Sequence, residues 1–101
     1  MAGKLIRMFL ADGKMEGIKT LEVSNETILC TVFPRPLFEA FSQRKECERP
    51  GVYILVGKIE DGLSEKIYIG EGDPVVPRLH SHYGKKDFWT HAIVFTSKDS
   101  Y

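Results

Sequence analysis

The sequence has no surplus of charge of either sign, no long apolar run and no cluster of cysteines, and each lack excludes a class of protein. Lys plus Arg is 14 and Asp plus Glu is 14, so no overall positive field draws the chain to nucleic acid or anionic lipid. Apolar runs such as Ala92 to Phe95 are far shorter than the ~18 residues that a membrane-spanning helix needs. The 2 cysteines, Cys30 and Cys47, fit no metal-ligand spacing, so we expect two reduced thiols.

The length of 101 residues allows one domain and rules out two independent ones. A content of 43% hydrophobic and 28% charged residues is typical of a folded globular chain. Residues 1–10 carry Arg7 inside their only apolar stretch, so they lack the unbroken core of a secretory signal. We therefore expect a folded cytoplasmic protein that does not cross a membrane.

The first half of the chain has the pattern of a β-hairpin, a third strand and a helix. The predicted elements are strands over 5–10, 18–23 and 27–33 and an amphipathic helix over 36–46. The first two strands flank the turn signal Asp12-Gly13. Pro34 ends the third strand, and the apolar residues that follow Pro36 recur at helical spacing.

The second half has strand periodicity, then a helix, then a last strand. The predicted elements are strands over 52–56, 66–69 and 89–96 and a helix over 76–83. Asp73 is a candidate N-cap, Pro74 or Pro77 a candidate first helical residue, and Gly84 a stop signal. A turn at Asp61-Gly62 joins the two strands before the helix.

The last strand is apolar at both sets of alternate positions, which predicts burial on both faces with a helix on each. Ser97 and Asp99 then look like the start of a further helix, so we expect the domain to be incomplete at its C-terminus. The whole pattern predicts an α+β fold, a small mostly antiparallel sheet with flanking helices, preceded by the N-terminal hairpin, strand and helix. We set a soft boundary near Pro50, with 1–50 as a β-rich segment packed on a core formed by 51–101.

Two tripeptides fall on the two arms of the second predicted hairpin: Gly51-Val52-Tyr53 and Tyr68-Ile69-Gly70. Because side chains alternate along a strand, Tyr53 and Tyr68 can approach each other on one face of the hairpin. Arg78 and His82 are four residues apart, which places them on one face of the predicted helix. We expect the two phenols, the guanidinium and the imidazole to converge at one end of the sheet.

These residues resemble the GIY-YIG nuclease superfamily over residues 51–96, with Gly51 and Gly70 as the motif glycines. The resemblance implies an endonuclease-type domain that hydrolyses DNA phosphodiester bonds with Mg²⁺ or Mn²⁺. Tyr53 would then act on the attacking water with support from Tyr68, and Arg78 would bind the scissile phosphate. His82 would assist Tyr53 or donate to the phosphate.

Two features depart from the family pattern. The family's metal-binding Glu belongs to a later helix, beyond Tyr101, so the resemblance implies no bound metal and no cleavage by these residues alone. Glu71 is a weak substitute ligand, and Asp73 is the other acid nearby. The interval between the two tripeptides, 54–67, is also somewhat longer than in the family.

Each candidate has a plainer interpretation. Tyr53 and Tyr68 can be ordinary cross-strand aromatics, and Arg78 with His82 can form a solvated helix face. Lys85 and Lys86 either offset the helix dipole or contact a DNA backbone, and His80 and His91 are expected to be structural. The alternative function is a non-catalytic module that binds nucleic acid or another protein. The sequence predicts no oligomeric state.

Overall fold

The computed structural model describes residues 3–24, 26–58, 63–85 and 88–97, with the backbone alone at 82–85. These residues form a six-stranded antiparallel sheet with two α-helices, which confirms the predicted α+β class. In chain order the elements are β1 (Ile6–Leu10), β2 (Lys19–Val23), β3 (Ile28–Pro34), α1 (Phe38–Ser42), β4 (Gly51–Lys58), β5 (Glu65–Gly72), α2 (Val75–Lys85) and β6 (Trp89–Ser97). The strand order across the sheet is β1-β2-β3-β6-β4-β5. Neither α-helix in these ranges is long and apolar enough to cross a bilayer.

The N-terminal hairpin is confirmed, and its connection is wider than the turn signal alone predicts. Gly13 adopts a φ of 78°, a left-handed conformation in which a side chain is strained. Its N–H donates to the Leu10 carbonyl at 3.0 Å and closes the turn. Ala11 N–H donates to the Ile18 carbonyl at 2.9 Å, so cross-strand bonding extends one residue past each strand.

The single helix predicted over 36–46 is wrong in its length. The chain there forms a 3₁₀ turn (Arg35–Leu37), the five residues of α1, and a second 3₁₀ turn (Lys45–Glu48). Arg44 is extended between the last two, with φ −83° and ψ 153°. The cause is a tertiary contact: the buried Glu46 carboxylate accepts hydrogen bonds from Thr31 Oγ1 at 3.0 Å and from Arg44 Nε at 2.7 Å. A continuous helix would carry Glu46 away from β3.

The second hairpin is longer than the sequence pattern predicts. β4 and β5 pair from Gly51 opposite Gly72 to Lys58 opposite Glu65, and the turn signal Asp61-Gly62 lies outside the described residues. Because β4 also pairs with β6, the strand that carries Tyr53 lies between two neighbours.

α2 packs on the sheet as predicted, but its start differs from the predicted cap. It begins at Val75, so neither Pro74 nor Pro77 is its first residue. The Val75 N–H donates to the Arg49 carbonyl at 3.0 Å. A main-chain carbonyl, rather than the Asp73 side chain, therefore accepts the hydrogen bond from this N–H at the start of the helix.

Both helices pack on the same face of the sheet. The ring of Phe41 on α1 stacks on Phe33 of β3 with centroids 4.2 Å apart. Val75 and Leu79 of α2 are fully buried and belong to one hydrophobic cluster with Tyr53. This single core fixes α2 against the β4-β5 hairpin.

The other face of the sheet carries no helix among the described residues. Burial alternates along β6: Ala92 and Val94 are fully buried, whereas Ile93 and Phe95, which point to the opposite face, are only half-buried. The expectation of helices on both faces of this strand is therefore wrong for the described part of the chain. The uncovered face is itself apolar, so the sequence of this strand has the same pattern as that of a strand buried on both faces.

Candidate active site

Tyr53 and Tyr68 lie on the helix-covered face of the β4-β5 hairpin. Tyr53 is opposite Gly70, and Tyr68 is opposite Leu55, which makes the two tyrosines diagonal neighbours. Their ring centroids are 6.4 Å apart and their planes differ by 27°. Tyr53 is fully buried and Tyr68 is half-buried. The predicted approach of the two phenols is confirmed.

Gly70 provides the space in which the Tyr53 ring lies. A Cβ built on Gly70 would stand 2.5 Å from Tyr53 Cζ and 2.9 Å from Tyr53 Cε2, closer than real Cβ contacts come. Any side chain at Gly70 would push the ring away from the strand. The glycine of one tripeptide is thus a steric requirement for the tyrosine of the other.

Gly51 meets a similar limit on the other side of β4. A Cβ there would stand 2.7 Å from the Phe95 carbonyl oxygen and 2.9 Å from Thr96 Cγ2. The first motif glycine therefore allows β4 to lie close to β6, which fixes the strand that carries Tyr53.

Arg78 comes close to the tyrosines because α2 crosses the end of β5 at a position that has no side chain. A Cβ on Gly72 would stand 2.7 Å from Arg78 Cβ and 3.4 Å from Arg78 Cγ, so the arginine stem rests on the glycine. Sequence reasoning missed Gly72. The signal was its spacing from Gly70, because glycines two apart leave a bare stripe on one face of a strand.

Tyr53 and Arg78 interact electrostatically. Burial raises the pKa of the Tyr53 phenol, and the nearby Tyr68 adds to the rise. The nearby guanidinium of Arg78 acts to lower the same pKa, but the net shift is upward from 10.0. Tyr53 therefore keeps its proton at neutral pH and offers a hydroxyl donor rather than a phenolate.

A shallow cleft of about 340 Å³ opens beside Arg78. Its lining comes from the end of β5 and the first turns of α2: Gly72, Asp73, Pro74, Pro77, Arg78 and Ser81. The Ser81 hydroxyl donates to the Arg78 carbonyl at 2.8 Å, so it is engaged within the helix. Arg78 is exposed at the rim and is the cationic group of the lining.

The two carboxylates considered as metal ligands, Glu71 and Asp73, do not both lie beside Tyr53 and Arg78. Glu71 pairs with Val52, which places it on the sheet face opposite to Tyr53. Asp73 is the one carboxylate in the lining of the Arg78 cleft. Within the described ranges, no three or more His, Cys, Asp or Glu residues are grouped to hold an ion. Arg78 can therefore bind and orient a phosphate in this cleft, where the Asp73 carboxylate is also part of the lining.

The remaining candidates lie apart from this arrangement or outside the described residues. The side chains of His82 and Lys85 and all of Lys86 lie outside them, although the backbone places His82 on α2 one turn after Arg78. The His80 ring lies 6.0 Å from the Phe38 ring of α1, a structural contact. His91 Nδ1 lies 3.0 Å from Thr90 Oγ1, away from the tyrosines.

No family model matches the chain, and no curated protein or solved structure is significantly similar to it. The side-chain arrangement and the two tripeptides therefore stand as the grounds for a function.

Proposed function

We propose that this chain is a GIY-YIG-type endonuclease domain that acts on the phosphodiester bonds of DNA. The observation that carries the proposal is the joint placement of Tyr53, Tyr68 and Arg78, two stacked phenols with a guanidinium beside them. These are also the residues that carry the resemblance in the sequence. DNA is the expected partner through its phosphate backbone, and Mg²⁺ or Mn²⁺ is the expected cofactor of the complete enzyme.

Arg78 has the chemistry of a phosphate anchor. Its planar guanidinium is always charged and can donate two parallel hydrogen bonds to phosphate oxygens. Its stem is held on Gly72 while the residue remains exposed, so the group is both oriented and accessible. Negative charge that develops on the phosphate oxygens during hydrolysis would be stabilised at this point.

Tyr53 acts in this proposal as a positioned donor. Because its pKa is raised, the hydroxyl keeps its proton and is a poor base at neutral pH. The side chain is fully buried, so a neighbouring group would have to move before this hydroxyl could donate to a phosphate oxygen. Tyr68 covers the ring and keeps bulk water from it. At neutral pH Tyr53 would therefore not itself remove the proton from the attacking water.

One observation favours a second candidate function, a non-catalytic module that binds nucleic acid. The described residues supply a cationic anchor, Arg78, and a protonated hydroxyl, Tyr53. A domain with only these parts would bind a phosphodiester without cleaving it. A protein-interaction module with this fold would not need the accessible Arg78.

The two candidates are tested with supercoiled plasmid, Mg²⁺ or Mn²⁺, and the 101-residue chain. We expect retarded migration at low salt, which both candidates share because Arg78 anchors the phosphate in each, and nicking is the outcome that separates them. Nicking that disappears in Tyr53→Phe would establish the endonuclease and show that the metal ligands are already present. Absence of both binding and nicking would contradict both candidates.

A further inference from the structure

The sheet face opposite the helices, called here the open face, is apolar on all six strands. Cross-strand registers assign residues to it, because every second side chain along a strand points to the same face. Six of its apolar side chains are between 41% and 66% exposed: Ile6, Met8, Ile28, Val52, Ile67 and Ile69. Between them lie half-buried neighbours such as Ile54, Ile93 and Phe95. Contiguous apolar surface of this kind marks an interaction site.

The size of the open face approaches that of a standard protein–protein interface. Six strands about 4.8 Å apart, each about 17 Å long, present a flat area of roughly 500 Å². Protruding side chains raise the accessible area toward the ~800 Å² per subunit of a standard interface. A face on which every strand carries apolar side chains is typical of a two-sheet sandwich, in which such faces pack about 10 Å apart. Lys58 and Glu65, opposite each other at one end of the open face, lie outside its apolar rows.

The two central rows of the open face contain two charged residues, one of each sign. Lys19 on β2 lies in the row of Val32 and Ile93, and Glu71 on β5 lies in the row of Val52. β2 and β5 are each two strands away from β6, on opposite sides of it. Lys19 and Glu71 are therefore placed almost symmetrically about β6.

We infer that a second copy of this chain covers the open face, related to the first by a two-fold axis along β6. Such an axis exchanges β2 with β5, so Lys19 of one copy stands opposite the strand that carries Glu71 of the other. The two residues are two positions apart along the strands, about 7 Å, which a lysine side chain can span. The contact occurs twice, so each of the two charges in the central rows has an opposite charge of the other copy within reach.

A cleft of about 730 Å³ at one end of the open face fits this arrangement. Ile28, Val52 and Phe95 contribute its apolar lining, and Glu71 stands on its β5 side. The axis brings the end of β2 from the other copy over it, where Leu21 and Val23 belong to the open face. Apolar side chains of one copy thus enter the apolar cleft of the other. The face that carries Tyr53 and Arg78 remains on the outside of the dimer, so the inference does not rest on the proposed function.

Sedimentation velocity over a range of protein concentrations tests the surface. We expect a dimer for the unmodified chain and a monomer for Ile69→Lys, because the new charge lies within the buried face. The matched control is Phe9→Lys, since Phe9 is 60% exposed but lies on the helix-covered face, and it should leave the dimer intact. Circular dichroism should show that both variants remain folded.

Charge reversal tests the axis. Lys19→Glu and Glu71→Lys should each raise the dimer dissociation constant about tenfold, and the double variant should restore it. Glu39→Lys reverses an exposed charge on α1 and should leave the dimer dissociation constant unchanged. The axis along β6 would be overturned if neither reversal changes the dimer dissociation constant. It would also be overturned if the double variant dimerises no more tightly than the single variants. A chain that stays monomeric at all concentrations would overturn the inference, and loss of hydrophobic-dye binding in Ile69→Lys would then assign the face to a different partner.

Discussion

The ring of Tyr53 lies against Gly70, the residue opposite it in the β4-β5 hairpin, so closely that a methyl group on Gly70 would overlap it. The two tripeptides of the sequence are therefore one steric unit in the fold. Arg78 joins this unit by resting on Gly72, two residues further along the same strand. The candidate site therefore depends on its glycines, which leave space for the functional side chains, as much as on those side chains themselves.

Gly70→Ala should destabilise the fold by about 2 kcal/mol, because the added methyl group forces the buried Tyr53 ring out of its place. The measurement is urea unfolding followed by circular dichroism. In a Tyr53→Leu background the same substitution should cost less, since the shorter side chain leaves room for the methyl group.

Gly3→Ala is the matched control for this experiment, because a Cβ on Gly3 meets nothing within 4 Å. Its free energy of unfolding should stay within about 0.5 kcal/mol of the unmodified chain. Equal effects of the two glycine substitutions would show that Gly70 is not sterically required.

The Tyr53 phenol should titrate above the ordinary tyrosine range. Burial and Tyr68 raise its pKa, so the folded state holds the proton more tightly than the unfolded chain does. This contribution to stability is present below the unfolded pKa of ~10 and is lost as the pH rises through the folded pKa. The phenolate absorbance of the unmodified chain minus that of Tyr53→Phe isolates this group.

Arg78→Ala should raise the Tyr53 pKa further, because it removes the nearby guanidinium that acts to lower it. The same difference titration measures this change. A Tyr53 pKa that falls or stays constant in Arg78→Ala would show that Arg78 does not act on this phenol, which would contradict a single site formed by the two residues.

Glu46→Gln should destabilise the fold by about 2 kcal/mol, since a buried charged acceptor is lost beneath β3. Burial acts to raise the Glu46 pKa, but hydrogen bonds from Arg44 and Thr31 and the Arg44 charge outweigh it, and the net shift is downward. A lowered pKa stabilises the fold above the unfolded value of ~4.3, and this stabilisation is lost as the pH falls through the folded pKa.

Thermal unfolding at neutral and acidic pH checks this. The difference between the unmodified chain and Glu46→Gln should shrink as the pH falls, whereas Glu39→Gln on the exposed face of α1 should have little effect at any pH. A difference that is constant with pH would mean that Glu46 acts through packing alone.

The strands were predictable because each has its own local signal, and the helix near Glu46 was not. Alternating apolar residues and turn glycines predict the two hairpins and β3 from neighbouring residues alone. The apolar residues that follow Pro36 have helical spacing, yet the chain is extended at Arg44 so that Glu46 can reach Thr31. Such a contact joins residues far apart in sequence, and local periodicity contains no information about it.

The candidate site was predictable in its side chains and not in the space they need. Tyr53, Tyr68 and Arg78 follow from two tripeptides and one helix. The role of Gly72 and the position of Glu71 on the opposite face depend on the exact register of β4 and β5. A shift of one residue would exchange the two faces, and the sequence does not fix register to that accuracy.

The central claim is that Arg78 anchors a phosphodiester beside Tyr53, and fluorescence anisotropy of a short labelled DNA duplex tests it most directly. The comparison is between Arg78→Ala and Arg7→Ala, which remove the same charge from exposed positions on α2 and on β1. The account predicts that Arg78→Ala weakens binding at low salt about tenfold, with unfolding unchanged, while Arg7→Ala has little effect. Equal affinities for the two variants, or a large loss of stability in Arg78→Ala with unchanged binding, would contradict it.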